Sequence, residues 1–314
     1  MNEKFIPVAV DINYLQHQKD TEGELFTKIV EQGHYAGRTK PTNTRQGLYV
    51  ATADGTLLAS INTTRSSEVM KMMNKAIRQW EKGGKDRNKK FAEENVPDKK
   101  FNLAFPEGGM ILRETMRDLP RKQNPKHDTW RHNFDYAWLT KDEVAEFVPK
   151  DPKVGVSYEI PDPLVKRFAK FHLVDQVKGE SAAWKDSGIK TASLQATVRR
   201  VENGKVQIQL NGNANCIQPA TDEKNPYSGL PTNQERGVEI KIAGWLTYDT
   251  ATDTFAEFRL LGFGDRWGTA TYSFRHRDMQ RSPIGFAFEM LPTKSENQTR
   301  PKFLFWDYFG RRAR

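Results

Sequence analysis

Between Ser193 and Met290 apolar residues recur at every second position in run after run, the period of extended strands with one buried face. Leu194, Ala196 and Val198 share a face of residues 193–201. The dipeptide Asn203-Gly204 then turns the chain into 205–210, where Val206, Ile208 and Leu210 share a face. Val238, Ile240 and Ile242 alternate in a strand that continues through Trp245 to Tyr248. The polar segment 249–254 leads into 255–263, and the runs 269–274 and 284–290 complete a meander. So many strands joined by short turns predict a closed barrel or a sandwich, since a flat sheet of this length leaves exposed edges.

The first eighty residues read differently. Residues 5–10 form a short apolar run that predicts a buried strand ending at Asp11. Thr21 and Glu24 fit a capping box, Leu25, Phe26, Ile29 and Val30 fall on one helical face, and Gly33 stands where a helix ends. Two apolar runs, 47–53 and 56–62, flank Asp54-Gly55, a strong hairpin signal. Ser66 or Ser67 can cap a second helix carrying Val69, Met73, Ala76, Ile77 and Trp80 at helical spacing, which Gly83-Gly84 ends.

That order of strand, helix, hairpin and helix, with the hairpin segment 44–58, resembles the C-terminal part of a thioredoxin-like domain over about residues 3–80. The resemblance implies an N-terminal α/β module. The family's opening strand and Cys-x-x-Cys pair would precede Met1, and its cis-proline position is taken here by Arg45, Gln46 or Gly47. Thiol–disulfide chemistry needs a thiolate nucleophile, and the single cysteine is Cys216. The module is therefore expected to be redox-inactive.

Pro97, Pro106, Pro120 and Pro125 interrupt the next region, in which 110–119 reads as a short helix. Thr140 to Glu143 is a capping box leading into Val144, Phe147 and Val148, and a further helix starts at Pro161 or Asp162 with Leu164, Val165, Phe168 and Phe171. The expected fold class is α+β: a thioredoxin-like domain over 1–84, a proline-interrupted helical linker over 85–154, an antiparallel β-barrel or sandwich over 155–292, and an aromatic and basic tail over 293–314.

The 314 residues carry a formal net charge of +9, so anionic partners are electrostatically permitted. One cysteine excludes an intramolecular disulfide and a Cys-rich metal site. No run of about 18 apolar residues predicts a transmembrane helix, and the run 5–10 is too short for a signal peptide. The chain as given is expected to be cytoplasmic, or extracytoplasmic if an N-terminal segment has been removed. Phe303, Phe305, Trp306, Tyr308 and Phe309 are too apolar for a free tail. They predict docking on the chain itself or on a second subunit, which would make a homo-oligomer, ahead of stacking on single-stranded nucleic acid.

Chemistry-bearing residues gather in three places. His127, His132 and Asp135 can meet on one ion if their segment is a loop, with His172 or His276 supplied from elsewhere, and such a set suits a transition metal. His172 ends an apolar helix three residues before Asp175; with no serine or cysteine on a strained glycine elbow, it reads as structural. Gly262-x-Gly264 lies between two strands, so it lacks the helix N-terminus of a phosphate loop. It predicts a bend or bulge at the rim of the β-domain, with Asp265 and Arg266 paired and Trp267 over an open end, where a small-molecule or protein ligand would enter. The reading is a non-catalytic binding or assembly protein; the alternative is a metal-dependent enzyme using these His and Asp ligands.

Overall fold

In the computed structural model, β1 (Leu48–Ala51) and β2 (Leu57–Ile61) pair antiparallel across Asp54-Gly55. Gly55 takes φ +81°, as the turn requires. The structure describes residues 4–10, 12–36, 45–84, 89–92, 104–121, 131–224, 231–292, 299–304 and 307–310. The chain divides into two units, Met1–Ala104 and Phe105–Ala313.

In the first unit, α1 (Ile12–Leu15) and α2 (Thr21–Glu31) precede the hairpin, and α3 (Ser66–Gln79) follows it, running into a π-helical turn at Trp80–Gly84. Asp20, not Thr21, caps α2: its carboxylate accepts the Gly23 N–H at 2.9 Å. Neither Ser66 nor Ser67 caps α3, whose N-cap is Arg65 with no side-chain bond. Met72, Met73 and Ala76 of α3 close a small core with Ala59 of β2. The strand expected at 5–10 does not form, and Ile6 is 92% exposed. Pro7 lacks an amide donor, and β1 and β2 pair only with each other. Three helices and an isolated two-stranded hairpin do not make a thioredoxin-like α/β domain, and that expectation is overturned. The protein is mostly β, 41% strand against 20% helix.

The second unit is built on one antiparallel sheet. Its strands are β3 (Met110–Asp118), β4 (His132–Leu139), β5 (Ser157–Glu159), β6 (Ile189–Glu202), β7 (Lys205–Gln218), β8 (Thr221–Lys224), β9 (Pro231–Asp249), β10 (Thr254–Ala270) and β11 (Ser282–Met290). Their spatial order is β4-β3-β11-β10-β9-β7-β6-β5, with β8 paired to β9 beside this path. Asn203 and Gly204 both take positive φ, which fits the tight turn between β6 and β7.

The sheet is neither a closed barrel nor a sandwich, because β4 and β5 stay at opposite edges. A helix does the covering that closure or a second sheet would have done. The capping box predicted at Thr140 forms and starts α4 (Lys141–Ala145), and α5 (Asp162–His172) follows. Leu164, Val165 and Ala169 of α5 and Leu173 just beyond it pack in one cluster with Leu112, Leu194, Ile240, Leu260 and Phe286 from the inner face of the sheet. Each of the Leu, Val, Ile and Phe side chains among these contributes about 1.5–3 kcal/mol on full burial.

Two further expectations change. Residues 110–119 form strand, not helix, so part of the supposed linker, β3 and β4, belongs to the sheet. The run 269–274 is no separate strand either: β10 continues through the Gly262-x-Gly264 segment to Ala270, with a register shift between Gly268 and Ala270. Among the described residues no helix is long and apolar enough to cross a membrane.

Candidate functional site

Inward-facing positions of β3 alternate through Leu112, Glu114, Met116 and Asp118, all buried. The pleat thus carries two carboxylates to the core side of the sheet. Glu114 lies directly opposite Asp135 of β4, and the last residue of α5 brings His172 against them. His172 Nδ1 is 2.9 Å from Glu114 Oε2, and Nε2 is 2.6 Å from the hydroxyl of Tyr308, which in turn accepts the Trp138 backbone N–H at 3.1 Å. Ligand-type atoms of Glu114, Asp135 and His172 all lie within 4.8 Å of one another. Asp135 Oδ1 accepts the backbone N–H groups of Tyr136 at 2.8 Å and Lys302 at 2.9 Å. Glu114 Oε1 is buried and has no hydrogen-bond partner among the described residues.

Burial dominates the electrostatics here. Loss of water pushes the Glu114 carboxyl well above its usual range, and the facing Asp135 adds to the shift. Asp135 rises to about 6 through burial, opposed by the amides of Tyr136 and Lys302 and the Lys302 charge. His172 is held well below its usual value by burial and then by the Arg167 cation, so the imidazole is neutral at pH 7. A neutral imidazole has one donor and one acceptor nitrogen, and the Tyr308 hydroxyl can fill either complementary role.

Tyr308 also joins this cluster to the surface. It lines a cleft of about 470 Å³ with Glu143, Glu146, Arg167, Lys170 and Phe309. The Arg167 guanidinium lies 4.6 Å from the Tyr308 ring centroid and bonds Glu143 at 2.7 Å. The described part of the tail therefore docks on its own chain: Phe303, Leu304 and Tyr308 are buried, and Phe171 of α5 meets the rings of Phe303 and Tyr308 at 5.8 and 5.3 Å. Phe305 and Trp306 lie outside the described residues.

A second buried polar group surrounds Arg275. Its guanidinium bonds both oxygens of Asp118 at 2.7 and 2.8 Å, both oxygens of Asp175 at 2.8 and 2.9 Å, and Asp278 at 2.9 Å. Asp278 also receives Arg121 at 2.7 Å, Lys178 at 2.9 Å and Arg266. Burial alone would raise the Asp278 carboxyl, but the hydrogen bonds from Arg121 and Lys178 and the Arg266 charge carry it far below the carboxylate range. Each of its three carboxylates is bonded by at least one arginine.

The residues singled out from sequence fall unevenly around these clusters. Asp135 and His172 come together, joined by Glu114, which the sequence reading missed. His132 and His276 are exposed outside the cluster, and His127 lies outside the described residues. Asp265, Arg266 and Trp267 are consecutive on β10, so their side chains alternate between faces and the expected Asp265–Arg266 pair does not form. Arg266 points inward to Asp278, whereas Asp265 faces Arg281 at 3.5 Å, and Arg281 stacks 4.2 Å over the Trp267 ring. Trp267 lies against Gly237, where a Cβ would come within 2.1 Å of the indole, and covers no open end. Cys216 is buried, its thiol pushed up to about 12 by burial, which makes it inert as a nucleophile.

The outer face of the sheet is a different kind of surface. Trp245 is 51%, Leu261 45% and Phe263 50% exposed. Register places Leu261 between Ala243 and Ala287, Phe263 beside Lys241, and Arg259 between Trp245 and Glu289. All sit on long strands paired on both sides, so this apolar strip is rigid. No family model matches the chain, and no curated protein or solved structure matches it either, so its function is read from this geometry alone.

Proposed function

We propose that this is a non-catalytic binding or assembly protein whose outer sheet face docks on a second copy of the chain. One observation carries the reading: Trp245, Leu261 and Phe263 expose a contiguous apolar strip at the centre of a large sheet. Strips of this kind mark interaction surfaces more often than free surface. A two-fold interface requires one patch to offer both protrusions and recesses. Trp245 and Phe263 protrude, and the small Ala243 and Ala287 flank Leu261 as recesses. Lys241 and Arg259 stand among Glu239, Asp265 and Glu289, so the face pairs charges with a copy of itself and has no single sign to attract nucleic acid. The tail's Phe303 and Tyr308 are already engaged with α5, which takes these rings out of consideration as the homo-oligomer contact.

Light scattering across a concentration series tests the proposal. The native chain is expected to be dimeric at micromolar concentration. Leu261→Glu, an outward change on a solvated strand, is expected to give a folded monomer with an unchanged circular dichroism spectrum. A native chain that stays monomeric at every concentration overturns the reading.

A further inference from the structure

We propose that Glu114, Asp135 and His172 form a binding site for one divalent first-row transition cation, with Tyr308 as the hydrogen-bond partner that orients His172. The inference is independent of the assembly reading, because the cluster faces the core and the proposed interface is on the other side of the sheet.

Three observations lead to it. The first is the donor set: one imidazole and two carboxylates, with atoms within 4.8 Å of one another, match the ligand chemistry of zinc, manganese or ferrous iron. A second is the pairing of the two carboxylates. Glu114 and Asp135 are direct cross-strand partners, a placement that is unfavourable for two like charges. Among the described residues no arginine or lysine bonds the Glu114 carboxyl, and its one side-chain partner is His172. A divalent cation offsets both carboxylates at once. Last, Glu114 Oε1 is fully buried and unpartnered, the kind of polar atom that folded proteins rarely leave unsatisfied.

The outer hydrogen bond of His172 suits this role. Metal-bound histidines usually donate their second ring N–H to an acceptor that fixes the ring. When the cation takes Nδ1, the imidazole proton sits on Nε2 and the Tyr308 oxygen, 2.6 Å away, accepts it. The hydroxyl proton turns aside, and the Trp138 N–H still donates to the same oxygen. Tyr308, the partner of His172, also lines the surface cleft.

The test uses the full chain titrated with Co²⁺ and then Zn²⁺. One equivalent of Co²⁺ is expected to produce visible d–d absorption that Zn²⁺ abolishes. Glu114→Gln, which keeps shape and removes charge, and His172→Gln are each expected to weaken binding by at least about tenfold. His276→Ala, at an exposed histidine, is expected to leave both band and stoichiometry unchanged. If His172→Gln does not fold, Glu114→Gln decides alone, with its fold checked by circular dichroism. Absence of a stoichiometric band in the native chain, or a band that survives Glu114→Gln unchanged, overturns the site.

Discussion

Glu114 and Asp118 occupy neighbouring inward positions on one strand, and neither has any exposed surface. Asp118 meets the Arg275 guanidinium through both oxygens, inside a group in which Arg121, Lys178 and Arg266 add further positive charge. Glu114 meets a neutral histidine through one oxygen and faces another carboxylate. Burial, strand and side-chain class are shared, so the difference lies in the partners. A buried acid whose cation is supplied by the chain is a fixed part of the fold. A buried acid left without one costs stability until a proton or a metal ion arrives.

Three substitutions sharpen or break that contrast, each measured by chemical denaturation at neutral pH without added metal. Arg275→Met should cost about 3–5 kcal/mol, because it strands Asp118 and Asp175 in the interior without their main cation. A loss below about 1 kcal/mol would mean that the Arg275 group is not what holds this end of the sheet. Asp118→Asn should cost about 1.5–3 kcal/mol, since it replaces a charge-assisted bidentate pair by a neutral amide while Arg275 keeps Asp175 and Asp278. Glu114→Gln should change stability by less than about 1 kcal/mol, and in the stabilising direction, because it removes a like-charge pair and an uncompensated buried carboxylate. Equal losses for Asp118→Asn and Glu114→Gln would erase the distinction between the two acids.

How much of this was legible beforehand follows from the same strand. The apolar stretches of β6, β7, β9, β10 and β11 were readable because their inward positions are apolar, as in Val206, Ile208 and Leu210, whereas the polar β8 was not. Likewise Pro161 and the apolar spacing of α5 announced a helix, and Asp54-Gly55 a hairpin. In β3 the period-two signal fails, because two of its inward residues are Glu114 and Asp118. The remaining apolar residues Met110, Ile111, Leu112 and Met116 then mimic helical spacing. One misreading therefore hid both the strand and Glu114. His172 was visible as a histidine in an apolar helix end, but its partners come from residues 58 and 136 positions away, beyond the reach of local spacing. The barrel expectation failed for a different reason: alternation reports which face is buried, not whether a second sheet or a helix covers it.

The tail's place at the edge of the sheet has a consequence for synthesis. Trp138 donates its backbone N–H to Tyr308, 170 residues later, and its indole N–H to the Thr299 carbonyl. At about 5–20 residues per second, roughly ten to thirty seconds separate the emergence of β4 from that of its cap. During that interval the ribosome holds a strand whose outer amide at Trp138 has no acceptor from its own chain. A nascent chain at this stage presents an unpaired strand edge on which a neighbouring nascent chain can pair.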